Sequence, residues 1–205
     1  MPKDVLIWGA GKIARGFIAE AFYQGGYHLT FIDADQTLVT RLKEEGKYTL
    51  VKAPARGEPE TLTISGYTVF HVSEGDQIRN RLQEVPYVGI AVFPSVFESV
   101  ARSLAEGIEQ RAREGTPLDI IVCANARGAA EKLRASVERE LSDGAQAFLS
   151  EKVGFVETVI MRIGVPTPDR FAAYGDLTVT TNDSGEGITI EMTARTYRYT
   201  GEDLT

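Results

Sequence analysis

The chain has 205 residues, of which 43% are apolar and 25% charged, with a formal net charge of −7. This is the balance of one folded unit with a sizeable core; it excludes a disordered chain, and it excludes nucleic acid as a partner, because phosphate-backbone binding needs clustered positive charge. No apolar run reaches the roughly 18 residues of a membrane span, and Met1-Pro2-Lys3-Asp4 lacks a signal-peptide core, so no membrane partner and a cytoplasmic location are expected.

In chain order, Val5-Leu6-Ile7-Trp8 is an unbroken apolar strand of the kind covered on both faces in a parallel sheet. Gly9-Ala10-Gly11-Lys12-Ile13-Ala14 follows. Gly9 permits a tight turn, Gly11 lets backbone N–H groups approach a pyrophosphate, and Ala14 fills the third position of G-x-G-x-x-G/A, which needs a small residue for helix–strand packing. The rows Ile13/Phe17/Ala21 and Ala14/Ile18/Phe22 predict a helix whose N-terminus holds the phosphates. Gly25-Gly26 ends it, and His28-Leu29-Thr30-Phe31-Ile32 leads to Asp33, 22 residues after Gly11. A carboxylate at that spacing bonds the adenosine ribose hydroxyls and repels a 2′-phosphate, which points to NAD rather than NADP.

A short helix is expected over Gln36 to Glu45, then a β-rich antiparallel excursion from Lys47 to Val72 that leads into the third parallel strand. Asp76 to Glu84 reads as a helix and Tyr87 to Val92 as the fourth strand, with Val92-Phe93-Pro94 at its carboxyl end, where open α/β sheets place ligand contacts. Phe97, Val100, Ala101, Leu104 and Ile108 mark a long amphipathic helix, and its charges, Arg111 among them, read as a solvated face. The fifth strand ends at Cys123-Ala124-Asn125. Asn125 is there either to cap the following helix or to serve the site. Cys123, the only cysteine, reads as a core thiol, and His28 and His71 read as structural, with no second ligand at metal spacing. Phe148 to Pro166 offers a sixth strand, and Leu177–Thr180 with Ile188–Met192 reads as a C-terminal β-hairpin. The expected architecture is α/β, a doubly wound, mostly parallel Rossmann-type sheet. Residues 1–166 form the dinucleotide-binding domain and 167–205 a hairpin extension.

Several blocks resemble the mannitol-1-phosphate 5-dehydrogenases within the long-chain polyol dehydrogenases. Gly9-Ala10-Gly11-Lys12-Ile13-Ala14-Arg15-Gly16-Phe17-Ile18 is similar to that family's opening G-A-G-N-I-G-R-G-F-I, Ala91-Val92-Phe93-Pro94 to its A-V-G-P, Cys123-Ala124-Asn125 to its C-E-N, and Arg162-Ile163-Gly164-Val165-Pro166 to the end of its V-D-R-I-V-P. The resemblance implies NAD-dependent hydride transfer between mannitol 1-phosphate and fructose 6-phosphate, a sugar phosphate as the small-molecule substrate, and Asn125 as the amide that holds the reacting oxygen. It also implies a general-acid/base lysine in K-x-x-x-x-N-x-x-H on a second, helical domain. No lysine here has an asparagine five residues on, so that domain is expected to be absent from this chain. Phe93 stands where the family has glycine and is expected to narrow or block the site; Ala124 and Met161 replace carboxylates, and Lys12 in place of asparagine is either an exposed first-turn lysine or added charge beside the pyrophosphate.

The candidate cofactor-binding residues are therefore Gly9, Gly11, Lys12, Ile13, Ala14, Asp33, Val92 and Phe93, with NAD as the cofactor, and the candidate catalytic residue is Asn125. No metal is expected. The alternative to an enzyme domain is a stand-alone NAD(H)-binding sensor or scaffold, which the changes at Phe93, Ala124 and Met161 favour; a third reading is another NAD-linked reductase using the same sheet.

Overall fold

The computed structural model describes residues 3–54, 58–160, 162–182 and 189–192. β1 (Asp4–Trp8) is buried along its whole length; Val5 and Ile7 enter one core and Leu6 and Trp8 the other, the alternation of a strand covered on both faces. It pairs in parallel with β2 (His28–Asp33) on one side. The helix between them spans residues 12–24; after residues 12–13 it runs through a π-helical stretch, Ala14–Ile18, and continues as α1 (Ala19–Gln24). After α2 (Gln36–Glu45), capped by the Asp35 carboxylate and ended by Gly46 in the left-handed region, the chain makes the expected antiparallel pair, β3 (Lys47–Ala53) with β4 (Glu60–Ser65). β5 (Thr68–His71) then joins β2 in parallel.

The second half repeats the winding on the other side of β1. α3 (Gly75–Glu84) leads to β6 (Tyr87–Ile90), paired with β1; α4 (Phe97–Glu114) leads to β7 (Leu118–Val122); α5 (Ala129–Glu140) and α6 (Asp143–Lys152) lead to β8 (Val153–Val159). The parallel order is β5-β2-β1-β6-β7-β8, with the direction of winding reversed at β1. This is the Rossmann order 3-2-1-4-5-6. α3 to α6 cover one face, around Leu82, Leu104, Leu133 and Leu149; the helix over 12–24, α2 and a second sheet cover the other, around Ile18, Leu42, Leu50 and Val179. None of the helices among the described residues is long and apolar enough to cross a membrane.

Three details differ from the sequence reading. The last two strands do not form a hairpin: β10 (Val179–Asn182) pairs in parallel with β3 and antiparallel with β9 (Gly164–Val165), whereas β11 (Thr189–Met192) pairs antiparallel with β8 at the edge of the main sheet. The cause is burial. Val179, Thr180 and Thr181 are at most 1% exposed between β3 and β9, cover that no two-stranded ribbon provides. The turn assigned to residues 183–188 lies outside the described residues. Helix α6 is an addition. Arg111 is 1% exposed rather than solvated, its guanidinium donating to the carbonyls of Leu82 (2.5 Å), Val85 (3.0 Å), Thr116 (3.0 Å) and Pro117, and burial pushes it down to about 10.

At the N-terminal edge of the sheet, Asp119 on β7 is 5% exposed, and burial raises its carboxyl to about 6. Gly154 on β8 makes the room, since a Cβ there would lie 2.1 Å from Asp119 Oδ1. The folded pKa is above the unfolded one, so Asp119 favours folding below about pH 4 and this contribution is lost as pH rises through about 6. Asp119→Asn is expected to be more stable than the parent by about 1–2 kcal/mol above pH 7, the gap closing near pH 4. Urea denaturation at several pH values reads this, and parallel stability curves for the two proteins would contradict it.

Candidate functional site

The turn after β1 is set by Gly9. Its φ is +93°, and a Cβ would lie 2.6 Å from the Ala91 carbonyl oxygen, so the loop and the end of β6 touch where only glycine fits. Its N–H donates to the Ile32 carbonyl at 2.7 Å. Gly11 differs: a Cβ there would meet nothing within 4 Å, so its backbone borders open space at the start of the helix, where first-turn N–H groups lack intrahelical acceptors. Asp33 stands at the tip of β2. Its Oδ2 accepts the Ala10 N–H at 2.5 Å and its Oδ1 the Asp35 N–H at 2.9 Å, leaving lone pairs on each oxygen for a diol. Ala14 is fully buried.

The loop is braced by a residue to which the sequence reading gave no role. Arg15, 8% exposed, donates from Nε to the Ala10 carbonyl (2.7 Å) and from Nη1 to the Leu177 carbonyl (2.6 Å), and its guanidinium lies 5.4 Å from the centre of the Tyr48 ring. Burial lowers its pKa. The helix reaches the second sheet through Gly16, where a Cβ would lie 2.7 Å from Thr181 Cγ2. Lys12 is exposed and its Nζ donates to the Val165 carbonyl at 3.2 Å, bridging to β9.

On the other side of β1, the carboxyl ends of β6, β7 and β8 enclose a cleft of about 670 Å³. Ile13, Val92, Phe93 and Asn125 line it together; Gly9, Gly11, Lys12, Ala14 and Asp33 do not. The expected narrowing by Phe93 is not observed: its ring is 82% exposed at the rim. Asn125 is exposed and does not cap α5. That helix has Gly128 at its N-cap, and the N–H groups of Ala129 and Ala130 donate to the two carboxylate oxygens of Glu157 at 3.1 and 2.7 Å. Among the described residues nothing hydrogen-bonds the Asn125 side chain, which leaves its amide in the cleft. Glu157 was not legible as a site residue, lying in an apolar run; it acts here because β8 pairs Glu157 with Val122, next to the start of α5.

Arg162, also in the cleft wall, is tied down: Nη1 donates to the Gly16 carbonyl at 3.2 Å and to the buried Glu20, whose other oxygen pairs with Lys52 at 2.9 Å. Cys123 is 8% exposed and burial raises its thiol to about 11 despite the Thr158 hydroxyl donating to it, which is the chemistry of a core thiol rather than a nucleophile. Ala124 is in the same wall, and Met161 lies outside the described residues.

The two groups of residues therefore lie on either side of the strand where the winding reverses, the crevice in which open α/β sheets bind dinucleotides. The open space beside Gly11 and the carboxylate fixed at the end of β2 fit such a ligand.

The sequence profile described as the mannitol dehydrogenase Rossmann domain matches residues 3–192. A mannitol-1-phosphate 5-dehydrogenase from Aureobasidium melanogenum is 31% identical over 166 residues, which is 80% of this chain and 42% of the relative. Among solved structures, a ternary complex of Pseudomonas fluorescens mannitol 2-dehydrogenase with NAD and D-mannitol superposes with a TM-score of 0.75 at 11% identity, over 95% of this chain and 51% of that one. Octopine dehydrogenase with NADH and pyruvate follows at a TM-score of 0.65 and 12% identity, over 91% and 42%. These likenesses show the fold, and the chain spans about half the length of the proteins it matches, or less.

Proposed function

The chain belongs to the mannitol dehydrogenase family, whose Rossmann domain it spans over residues 3–192, and on that premise we propose that it binds NAD(H) across β1 as the cofactor half of a mannitol-1-phosphate dehydrogenase. The observation that carries this is the Asp33 carboxylate, fixed to the Ala10 N–H inside the glycine loop at the position of the ribose acid. Gly9, Gly11 and Asp33 hold the adenosine and pyrophosphate side; Ile13, Val92 and Phe93 border the other. When bound, NAD(H) supplies the ring that accepts or donates hydride. Asn125 donates its amide to the substrate oxygen on which charge accumulates, a bond that strengthens as the oxyanion develops. The relative at 31% identity supports mannitol 1-phosphate and fructose 6-phosphate as the reacting pair.

Proton transfer needs a general acid or base, and among the described residues the cleft presents none free to act. No lysine has an asparagine five residues on. Cys123 is held neutral, and Glu157 is engaged by the α5 amides. The 205-residue chain is therefore expected to bind NADH and to leave fructose 6-phosphate unreduced.

Trp8 is the only tryptophan, is 4% exposed and directly precedes Gly9, so bound NADH is expected to quench its emission by energy transfer. Asp33→Ala should weaken that binding by about 1–3 kcal/mol, one charged hydrogen-bond acceptor. Trp8 emission unchanged at millimolar NADH would refute the cofactor reading, and turnover of fructose 6-phosphate by this chain would refute the assignment of proton transfer elsewhere. The sensor reading predicts instead NADH binding that no sugar phosphate alters.

A further inference from the structure

Phe93 is 82% exposed, although it follows a strand whose last residue, Ile90, is fully buried. It cannot fold back into the core. Ala91 is fixed two residues earlier by its N–H bond to the Trp8 carbonyl (2.8 Å) and by its own carbonyl packed on Gly9, and Pro94 starts a 3₁₀ turn immediately after, closed by the Val96 N–H on the Phe93 carbonyl (3.1 Å). The ring is thus presented at the rim of the cleft by rigid backbone on both sides. Ile163, 62% exposed, and Ile13, half-buried, line the same cleft. Of the charged groups lining the cleft, Arg162 is committed to Glu20 and Gly16 and Glu157 to the amides of α5, while Arg127 is exposed beside Asn125. Around Phe93 the cleft offers apolar surface, with the polar groups of Asn125 and Arg127 beyond it on the segment after β7.

The strand order says which part of a dinucleotide meets this surface. Asp33 marks the adenosine side over β2, so the other half extends over β6 and β7, where Phe93 and Asn125 stand. We propose that Phe93 is the contact residue for the nicotinamide half of the dinucleotide, its exposed ring covering that half against the Ile13 and Ile163 side of the cleft. The inference rests on the cofactor reading above and goes beyond it, because it assigns to the ring a gain in affinity rather than obstruction. A flat heteroaromatic ring suits the place, since one of its faces packs on Phe93 and Asn125 stays available to the substrate oxygen. Phe93 thereby does for this chain what the bare backbone of a glycine cannot do, cover apolar ligand surface from water.

Calorimetric titration of the chain with NADH and with ADP-ribose, which lacks the nicotinamide, tests this. For Phe93→Ala the expected result is NADH affinity reduced by roughly tenfold, one ring contact with the apolar surface it covered, with ADP-ribose affinity unchanged. Phe93→Tyr, which keeps the ring, should bind NADH like the parent. NADH binding by Phe93→Ala that equals or exceeds the parent's would overturn the proposal, since the ring would then be idle or obstructive. Equal losses for NADH and ADP-ribose would overturn it as well, placing the effect on the glycine loop. Failure of the unmodified chain to bind either ligand would remove the cofactor reading itself, and this inference with it.

Discussion

Gly9→Ala is expected to lose both fold stability and NADH binding, whereas Gly11→Ala should lose NADH binding alone. The two glycines sit in one motif two residues apart, but the protein presses on only one of them. At Gly9 the backbone is at φ +93°, a region where an L-residue is strained, and the added methyl carbon would lie 2.6 Å from the Ala91 carbonyl oxygen. Neither side can yield cheaply. Ala91 is bonded to Trp8, Gly9 to Ile32, and these bonds tie together the three central strands. Strain and clash together are expected to cost roughly 2–4 kcal/mol. At Gly11 the φ is ordinary and nothing lies within 4 Å, so stability should change by less than about 1 kcal/mol. The methyl group would instead occupy the space through which a pyrophosphate reaches the backbone, and NADH affinity should fall at least tenfold, about 1.4 kcal/mol. Urea denaturation and NADH titration of both variants separate the two effects. Parental NADH affinity in Gly11→Ala would mean that the pyrophosphate does not lie on this loop, and parental stability in Gly9→Ala would mean that the turn is not held by Ala91.

What was legible in the sequence was local. The apolar run of β1, the glycine spacing, the acid at Asp33 and the stripe Phe97, Val100, Ala101, Leu104 and Ile108 each state their structure within a few residues, and all of these stripe positions are buried in α4. What was not legible depends on partners far along the chain. Val179–Asn182 and Thr189–Met192 have the pattern of a hairpin, yet the first is drawn into the second sheet by β3, roughly 130 residues earlier, and the second to the edge of the main sheet by β8. Helix α6 buries only Ala145 and Leu149, too little for a periodic signal. Arg111 looks like its solvated neighbours on α4 and differs only in the four carbonyls that converge on it. The site divides in the same way. Asp33 and Gly9 follow from spacing, but Asn125 is left to the cleft because Glu157, from another strand, occupies the α5 cap. Arg15 lay inside the most telling decapeptide, and its role as a brace depends on the Leu177 carbonyl, 162 residues away.

The second large effect is expected at Glu20, which lies just past that decapeptide. Its side chain is 7% exposed and meets two cations, Lys52 at 2.9 Å and Arg162, whose side chains are 12% and 14% exposed. Burial by itself would lower the Lys52 ammonium; its pKa is nevertheless raised, because hydrogen bonds to Glu60 and Glu20 outweigh desolvation. Glu20→Gln keeps the shape and removes the charge, leaving two half-desolvated cations facing each other across a neutral amide. Lys52 keeps Glu60, while Arg162 keeps only the Gly16 carbonyl and the face of Phe17 among its described contacts. The expected loss is about 2–4 kcal/mol, the penalty of an uncompensated buried charge. Lys52→Met should cost less, since Glu20 then still has Arg162. Urea denaturation of the two variants checks the order, and a Glu20→Gln loss no larger than that of Lys52→Met would show that Glu20 is not the centre of the network. The consequence reaches the cleft. Arg162 lines it and is held there by Glu20, so releasing the guanidinium frees a positive charge in the wall that the native protein keeps neutralised. Glu20 belongs to the helix after the glycine loop, Lys52 to the second sheet and Arg162 to the segment leading into β9, so this one carboxylate is satisfied only when all three are packed together.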